Sequence, residues 1–289
     1  MSQTRTLPEH HKLRLQTHFG FTKVPFCKNL WPSEMYDSRS QRDLFLGLRL
    51  WSDIKGIGLV TGPSGIGKSL TTRKFVGSLD EARFRILHLA AVPSTTAGFL
   101  RTVNRVLGLP MRLHSSDLYD QAHQHLTSKS EDHAPHPLLV LDNAEGLSVD
   151  ILDLIRRLTS YALDSEDRFS VLLTGTDDLL RTMRDPTLEP LRTRIGYAQP
   201  LRPFSFEDAR NYVTFHVKRA AGSRADLFSD DAARRLFQAS QGRPRSINQL
   251  ALQSLIQAAV EGREQIDGDF VAAQIAAHPL YDGPAGAAG

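Results

Sequence analysis

The chain has 289 residues, 40% hydrophobic and 23% charged, which is typical of a globular protein that can bury a sizeable core. The single cysteine, Cys27, excludes an internal disulfide framework and favours a reducing compartment. No apolar run approaches the roughly 20 residues of a membrane span, and the polar N-terminus lacks the apolar core of a signal peptide, so we expect a cytoplasmic protein with no membrane partner. The net charge of +3 is compatible with a nucleic-acid partner but does not indicate one.

The predicted elements alternate between strands and helices over the first two thirds of the chain. In order, the strand patterns are "GIGLVTG", "RFRILHLAA", "PLLVLD", "RFSVLLTG" and "RIGYAQPL", with helical patterns such as "KSLTTRKFVGSL" and "SVDILDLIRRLTSYAL" between them. This alternation predicts an α/β fold with a parallel sheet and helices on both faces. After Pro203 the strand patterns stop and only helical patterns follow. We therefore expect a boundary near residue 203 and a small all-α domain behind it.

The first motif is "GPSGIGKS" at residues 62–69, which fits the pattern G-x-x-x-x-G-K-[ST]. It follows an apolar strand and opens a helix, where backbone N–H groups can curl round a phosphate and the helix N-terminus adds a favourable dipole. This context favours a phosphate site over a glycine-rich turn without a ligand. Lys68 is expected to reach the β- and γ-phosphates and Ser69 to ligate magnesium. The residues expected to contact the nucleotide are Gly62, Pro63, Ser64, Gly65, Ile66, Gly67, Lys68, Ser69 and Leu70.

The second motif is the acid that ends the third strand. Asp142 follows "LLVL", where a second, water-mediated magnesium ligand belongs, although a strand-terminal aspartate can also be a plain helix cap. In most ATPases that combine these two motifs, the residue after this aspartate is a glutamate, which orients the attacking water. Here the residue is Asn143, whose amide cannot act as a base at neutral pH. Glu145 either swings in to replace it or is a solvated loop residue, and the sequence does not decide between the two.

Further polar residues follow the fourth strand and flank the fifth. Thr176, with Thr174 as the second choice, is expected to touch the γ-phosphate, and an ordinary helix cap is the alternative. Arg192 and Arg194 are either solvated or include an arginine finger that reaches a neighbouring subunit's nucleotide, because a guanidinium stays charged and forks onto phosphate oxygens. Arg245 lies at a helix start, where a cation opposes the dipole, so we expect an anionic ligand there.

Together these motifs resemble those of AAA+ ATPases of the ExeA/GspA–TniB–TnsC kind. The resemblance runs from about residue 18 to residue 277 and rests on "HFGFTKVPF", "GIGLVTGPSGIGKS", "VLDNAEGL", "LLTGTDDLLRTM", "LRTRI" and "SQGRPRSIN". It implies an AAA+ P-loop NTPase with a five-stranded parallel sheet, in which the fourth strand lies between the strands of the P-loop and Asp142. It also implies a small C-terminal all-α lid domain, ATP and Mg²⁺ as cofactors, and Phe26 or Tyr36 beside the adenine. Because Asn143 departs from the family pattern, we expect slow hydrolysis, with ATP acting mainly as an assembly switch.

The resemblance also predicts how the chain is organised. We expect an N-terminal extension packing on the ATPase core, a P-loop nucleotide-binding domain, a helical lid domain and a disordered tail. Their respective bounds are residues 1–36, 37–203, 204–280 and 281–289.

Relatives of this kind do two different jobs. Those of secretion systems carry a transmembrane helix and a peptidoglycan-binding module after the ATPase, which this sequence does not show, whereas shorter ones resemble the helper ATPases of transposons. We therefore expect a homo-oligomer, ring or filament, that assembles on double-stranded DNA without sequence preference and recruits a transposase. A cytoplasmic ATP-switched protein scaffold and a secretion-system assembly ATPase are the alternatives. The expected DNA contacts are Thr95, Thr96, Arg101 and Arg105, although the two arginines could form a solvated helical stripe.

Overall fold

The protein divides into two compact units, each described here by itself. One unit is Arg39–Arg202, and the other combines Met1–Ser38 with Pro203–Gly289. The computed structural model describes residues 9–27, 34–89, 93–128, 134–161, 166–221 and 226–281. No helix within these ranges is long and apolar enough to cross a membrane.

The secondary structure follows the predicted order of strands and helices. The strands are β1 (Ile57–Thr61), β2 (Phe84–Leu89), β3 (His136–Leu141), β4 (Ser170–Thr174) and β5 (Ile195–Pro200). The helices are α1 (Glu9–Phe19), α2 (Arg39–Ile54), α3 (Lys68–Val76), α4 (Thr96–Leu107), α5 (Ser115–Thr127), α6 (Val149–Thr159), α7 (Asp177–Met183), α8 (Glu189–Arg192), α9 (Phe206–Ala221), α10 (Asp230–Ser240), α11 (Pro244–Glu261) and α12 (Gly268–Ala276). Short 3-10 turns cover Ala144–Gly146 and Pro186–Leu188.

The unit Arg39–Arg202 is built on a five-stranded parallel sheet in the order β2-β3-β4-β1-β5. Strands β1 and β4 are buried along their whole length, which explains their continuous apolar runs, since helices cover both faces of a parallel sheet. The predicted α/β fold is confirmed, and β4 lies between the P-loop strand β1 and the Asp142 strand β3 as expected. The carboxyl ends of these three strands therefore meet at one edge of the sheet.

Neighbouring residues of each strand point to opposite faces of this sheet. On one face, Val60 packs in a cluster with Leu48 of α2 and with residues of α3. On the other face, Leu59 packs in a cluster with Phe99 of α4 and with residues of α5 and α6. The two clusters hold the sheet rigidly between helical layers and so fix the positions of the loops at its carboxyl edge.

The second unit is helical and is closed by the N-terminal segment. Leu15, Phe19, Phe21 and Phe26 are buried in one cluster with apolar residues of α9, α10, α11 and α12, and the Thr22 N–H donates to the Ala220 carbonyl at 2.8 Å. The described part of the predicted extension, residues 1–36, thus shares a core with the helices that follow Pro203. The aromatic side chains of the segment complete a core that the amphipathic C-terminal helices only partly enclose.

The chain passes between the two units at Ser38/Arg39 and at Arg202/Pro203. The second point coincides with the place where strand patterns end in the sequence. Most of the tail predicted to be disordered, residues 282–289, lies outside the described residues.

Candidate nucleotide-binding site

The P-loop joins β1 to α3 through a backbone that requires glycine. Gly62 has φ 145° and Gly67 has φ 109°, a region that side-chain-bearing residues rarely adopt. A Cβ atom on Gly62 would lie 2.5 Å from the Leu201 carbonyl oxygen, so a side chain there would also clash with the backbone. Ile66, only 1% exposed, anchors the loop in the core beneath it. The loop is thus fixed at both ends and in the middle.

Within the described residues, the backbone N–H groups of Gly65, Ile66 and Gly67 donate to no acceptor. The buried ammonium of Lys68 donates to two carbonyls of the same loop, those of Gly62 at 2.8 Å and Pro63 at 3.1 Å. The loop therefore combines free donors with a positive charge, and both fit phosphate oxygens. Ser69, in the first turn of α3, is exposed, so its hydroxyl is accessible.

Helix α2 also reaches the P-loop, a contact that the sequence pattern did not predict. Gln41, in the first turn of α2, is only 6% exposed, and its amide nitrogen lies 3.0 Å from the position that a Cβ on Gly67 would take. It stands on the same helix face as the buried Leu44 and Leu48. A polar residue on an otherwise apolar helix face is the signal that could have identified it.

Asp142 is held by the neighbouring strand. Its Oδ1 atom accepts from the Thr174 hydroxyl at 2.5 Å and from the Asn143 N–H at 3.0 Å. Thr174 is fully buried at the end of β4, while Thr176 lies two residues further on, at the N-cap of α7. Thr174, the second choice among the two predicted threonines, is therefore the one whose hydroxyl contacts the predicted magnesium ligand.

Asn143 adopts a left-handed backbone conformation, with φ 58° and ψ 42°, and is exposed. Asparagine is one of the few residues with a side chain that enter this region readily. The conformation begins the 3-10 turn that follows β3. A glutamate at this position would carry a conformational cost that asparagine avoids.

Arg192 is engaged within its own chain. Its Nη1 atom donates to the carbonyls of Met183 at 2.6 Å and Asp185 at 2.8 Å, at the end of α7. These carbonyls flank Arg184, which is exposed and whose guanidinium has no partner among the described residues. Arg192 thus stabilises the turn after α7, in which Arg184 is exposed to solvent. Nothing in the sequence pattern distinguishes Arg184 from other surface arginines.

The second predicted finger residue, Arg194, is also bonded internally. Its Nη1 atom donates to the Arg156 carbonyl at 3.1 Å and to the Ser160 hydroxyl at 2.6 Å, at the end of α6. It is half-buried and supports the carboxyl end of that helix. In this arrangement neither predicted arginine is available to another subunit without breaking internal bonds.

The remaining predicted nucleotide residues lie in the helical unit. Phe26 is 4% exposed, and its ring stacks on His216 with the centroids 4.9 Å apart, so it is a core residue rather than a free adenine platform. Tyr36 is half-buried, and its hydroxyl donates to Asp208 at 3.3 Å. Arg245, in the first turn of α11, is exposed and has no partner among the described residues.

The predicted DNA contacts lie on α4. Thr95 is its N-cap, and the Thr95 hydroxyl accepts from the Gly98 N–H at 3.1 Å, so this hydroxyl is already used by the helix. Thr96 is half-buried. Arg101 and Arg105 are exposed one turn apart, and neither has an ion-pair partner in the described part of the chain. The helix therefore presents two unneutralised positive charges on one face.

Comparison with known proteins agrees with this geometry. Residues 53–183 match the protein family described as "AAA domain". The chain has the AAA+ P-loop fold. The same AAA+ architecture is found in Cdc6p from Pyrobaculum aerophilum, with TM-score 0.63, 20% identity and coverage of 91% of this chain and 70% of that one. It also matches the ORC1 protein of Aeropyrum pernix, solved in complex with DNA, with TM-score 0.61, 15% identity and coverage of 89% and 69%.

One curated relative is similar in sequence as well. The chain is 27% identical to General secretion pathway protein A of Aeromonas hydrophila over 251 residues. This aligned region covers 86% of this chain and 45% of the relative. The AAA+ chain therefore spans less than half the length of that relative.

Proposed function

We propose that the chain binds ATP together with Mg²⁺ at the P-loop. The observation that carries this proposal is the set of free N–H groups in the loop beside the buried ammonium of Lys68. The Ser69 hydroxyl and the Asp142 carboxylate are hard oxygen donors, which fit a magnesium ion. When bound, the ion neutralises negative charge on the terminal phosphates. The Thr174 hydroxyl holds the Asp142 carboxylate in place for this role.

We propose further that hydrolysis of ATP at this site is slow. Asn143 occupies the position of the missing glutamate, and its amide cannot accept a proton from water at neutral pH. A general base typically contributes about 10²–10⁴-fold to a rate. Binding of ATP, more than its turnover, would then set the state of the protein.

The proposed partner at the nucleotide is a second copy of the chain, in a ring or a helical filament. Arg192 and Arg194 could reach a neighbour only by leaving the carbonyls to which they are bonded. Arg184 needs no such release, because it is exposed on a braced turn. The γ-phosphate would then distinguish ATP from ADP in the assembly, since a nucleotide shifts an equilibrium only through contacts that differ between its states.

Double-stranded DNA is the proposed substrate of the assembled protein. Residues 82–116 contain five arginines and no acidic residue, and the exposed Arg101 and Arg105 of α4 lie within this stretch. Arg101 and Arg105 have no ion-pair partner among the described residues, and such cations suit the phosphate backbone, which carries no sequence information. The ORC1 protein of Aeropyrum pernix, which shares this fold, was solved in complex with DNA. A row of subunits would add many weak contacts along one duplex.

Two biological roles fit such a protein. The resemblance of its motifs to transposon helper ATPases favours recruitment of a transposase to target DNA. Assembly of a secretion apparatus is the second candidate, and the 27% identity to General secretion pathway protein A favours it. The two differ in whether DNA is bound in an ATP-dependent way.

Fluorescence anisotropy with a labelled duplex separates the two roles. We expect ATP with Mg²⁺, but not ADP, to promote binding that is steeply salt-dependent and nearly independent of sequence. Replacing Arg101 and Arg105 together by alanine should lower the salt slope by about 2 per subunit, because each phosphate contact contributes about 0.9. ATP affinity, measured by calorimetry, should not change.

The matched control removes the same charge elsewhere. The double change of Arg234 and Arg235 to alanine on α10 should leave the salt slope of DNA binding as it is. Absence of ATP-dependent binding at low salt would exclude the transposition role and favour an assembly partner that is a protein.

A further inference from the structure

The turn after β3, Asp142–Gly146, is joined by side chains to the segment Thr174–Thr176 at the end of β4. One contact is the hydrogen bond from the Thr174 hydroxyl to Asp142. The other is made by Glu145, whose Oε2 atom accepts from the Thr176 N–H at 3.1 Å. The carboxylates of Asp142 and Glu145 therefore accept hydrogen bonds from two residues of the neighbouring segment, Thr174 and Thr176.

Gly175 leaves the space that the Glu145 contact needs. A Cβ atom on Gly175 would lie 3.0 Å from Glu145 Oε2 and 2.8 Å from Leu179 Cδ2, both tighter than ordinary contacts. The Gly175 N–H donates to the Val60 carbonyl at 3.0 Å, which fixes this backbone on β1. The Glu145 carboxylate thus lies against the backbone of Gly175, which is hydrogen-bonded to the P-loop strand β1.

The apolar residues beneath the contact make it part of the core. Ala144, beside Glu145 in the turn, and Leu179, in the first turn of α7, are both fully buried in the same cluster. Glu145 itself is half-buried. A half-buried side chain that accepts from the backbone N–H of the half-buried Thr176 is not a freely solvated loop residue.

The Glu145 contact needs an acceptor oxygen, not a base. We infer that Glu145 is a positioning residue that holds the turn, and with it Asp142, against the end of β4, and that it does not replace the glutamate missing at Asn143. This inference rests on the proposed ATP site, because Asp142 has a catalytic role only if magnesium is bound there. The sequence left open whether Glu145 replaces the missing base or is a solvated loop residue. The contact with Thr176 favours a third role, in which Glu145 positions the turn.

The substitution Glu145→Gln separates positioning from base chemistry. Glutamine keeps the acceptor oxygen, so we expect turnover of ATP to stay within about threefold of the wild type, since only the charge assistance of one hydrogen bond is lost. The substitution Glu145→Ala removes the acceptor and leaves the Thr176 N–H unpaired, so turnover should fall about tenfold or more. If Glu145 were the general base, both variants would lose about 10²–10⁴-fold, and the inference would be overturned.

Amide hydrogen exchange gives a readout that does not depend on hydrolysis. In Glu145→Ala the Thr176 amide should exchange about tenfold faster or more, whereas Glu145→Gln should keep the protection of the wild type. Equal protection of this amide in all three proteins would refute the contact. Absence of ATP binding by the wild type would refute the proposed function instead, while the exchange measurement would still test the contact.

Gly175 provides an independent test with a matched control. Gly175→Ala places a methyl group against the retained carboxylate and should reproduce the loss seen in Glu145→Ala. In the double variant the methyl group meets only Leu179, so adding Gly175→Ala to Glu145→Ala should cost less turnover than Gly175→Ala costs alone. Gly196→Ala is the control, since a Cβ there meets nothing within 4 Å, and it should leave turnover unchanged. Additive losses in the double variant would contradict the inference.

Discussion

Restoring a glutamate at Asn143 is the most direct test of why this site should be slow. The substitution Asn143→Glu adds a carboxylate directly after Asp142, at a residue that is exposed and left-handed with φ 58°. The new side chain has room, because the position faces solvent, but it must adopt a backbone conformation that it disfavours. Two opposing effects therefore decide the outcome.

Their magnitudes can be compared. A left-handed residue other than glycine, asparagine or aspartate costs roughly 1–2 kcal/mol. A general base contributes about 10²–10⁴-fold, which is about 3–5 kcal/mol at 1.36 kcal/mol per tenfold. The gain outweighs the cost, so we expect Asn143→Glu to raise turnover at least about tenfold while lowering the melting temperature by about 2–8 °C.

Two further variants separate the effects. Asn143→Gly accepts the left-handed conformation without a carboxylate, so stability should hold and turnover should not rise. Asn143→Asp accepts it nearly as well as asparagine and adds a carboxylate one methylene shorter, so turnover should rise less than with glutamate. Steady-state phosphate release at saturating ATP, with thermal melts, measures both quantities. A folded, ATP-binding Asn143→Glu protein that is no faster than Asn143→Gly would refute the reasoning and place the base elsewhere.

Three other predictions follow from the site and the core. Lys68→Ala should weaken ATP binding about tenfold or more in calorimetry, because paired charge-assisted contacts are worth about 2–5 kcal/mol; unchanged affinity would contradict the P-loop assignment. Arg184→Ala should spare ATP binding and weaken ATP-dependent assembly, measured by light scattering. Mixing the Arg184→Ala and Lys68→Ala proteins should partly restore activity. The control is Arg181→Ala, which removes an exposed arginine that pairs with Asp178 of the same helix and should not change assembly. If only Arg192→Ala impairs assembly, the earlier finger assignment is right. Burial, reinforced by a nearby arginine, lowers the pKa of His216 from 6.5 to about 4. Between these two pH values the unfolded chain binds a proton that the folded protein does not, so the free energy of unfolding should fall by about 3 kcal/mol from pH 6.5 to pH 4. His216→Gln should flatten this pH dependence in denaturant titrations.

The sheet and the P-loop were predictable because short-range rules dictate them. Short continuous apolar runs such as "PLLVLD" are typical of buried parallel strands, and the glycines at 62 and 67 adopt backbone conformations that few other residues tolerate. The position of β4 between β1 and β3 came from the family resemblance, not from the pattern. Asp142 followed from its place at the end of a buried strand.

The parts that sequence could not supply depend on long-range contacts. Phe26 carries the same apolar signal whether it faces a ligand or a core, and only the stack on His216 decides between them. Arg192 and Arg194 match a finger motif, but their bonds to backbone carbonyls are invisible in the sequence. The contact of Glu145 depends on the register of β3 beside β4, which joins residues about 30 positions apart.

The helical unit is discontinuous in the chain, and this has a consequence for how the protein folds as it is made. The Phe26 N–H donates to His216 Nδ1 across a separation of 190 residues, so the N-terminal aromatic residues can bury themselves only after α9 has been synthesised. Contacts of such long range slow folding, because loop closure must precede them. The α/β unit, contiguous from Arg39 to Arg202, can complete its own core first. During that interval the phenylalanines before it are exposed to chaperones and to aggregation, and a chain begun after them would lose the closure of the helical unit rather than the core of the α/β unit.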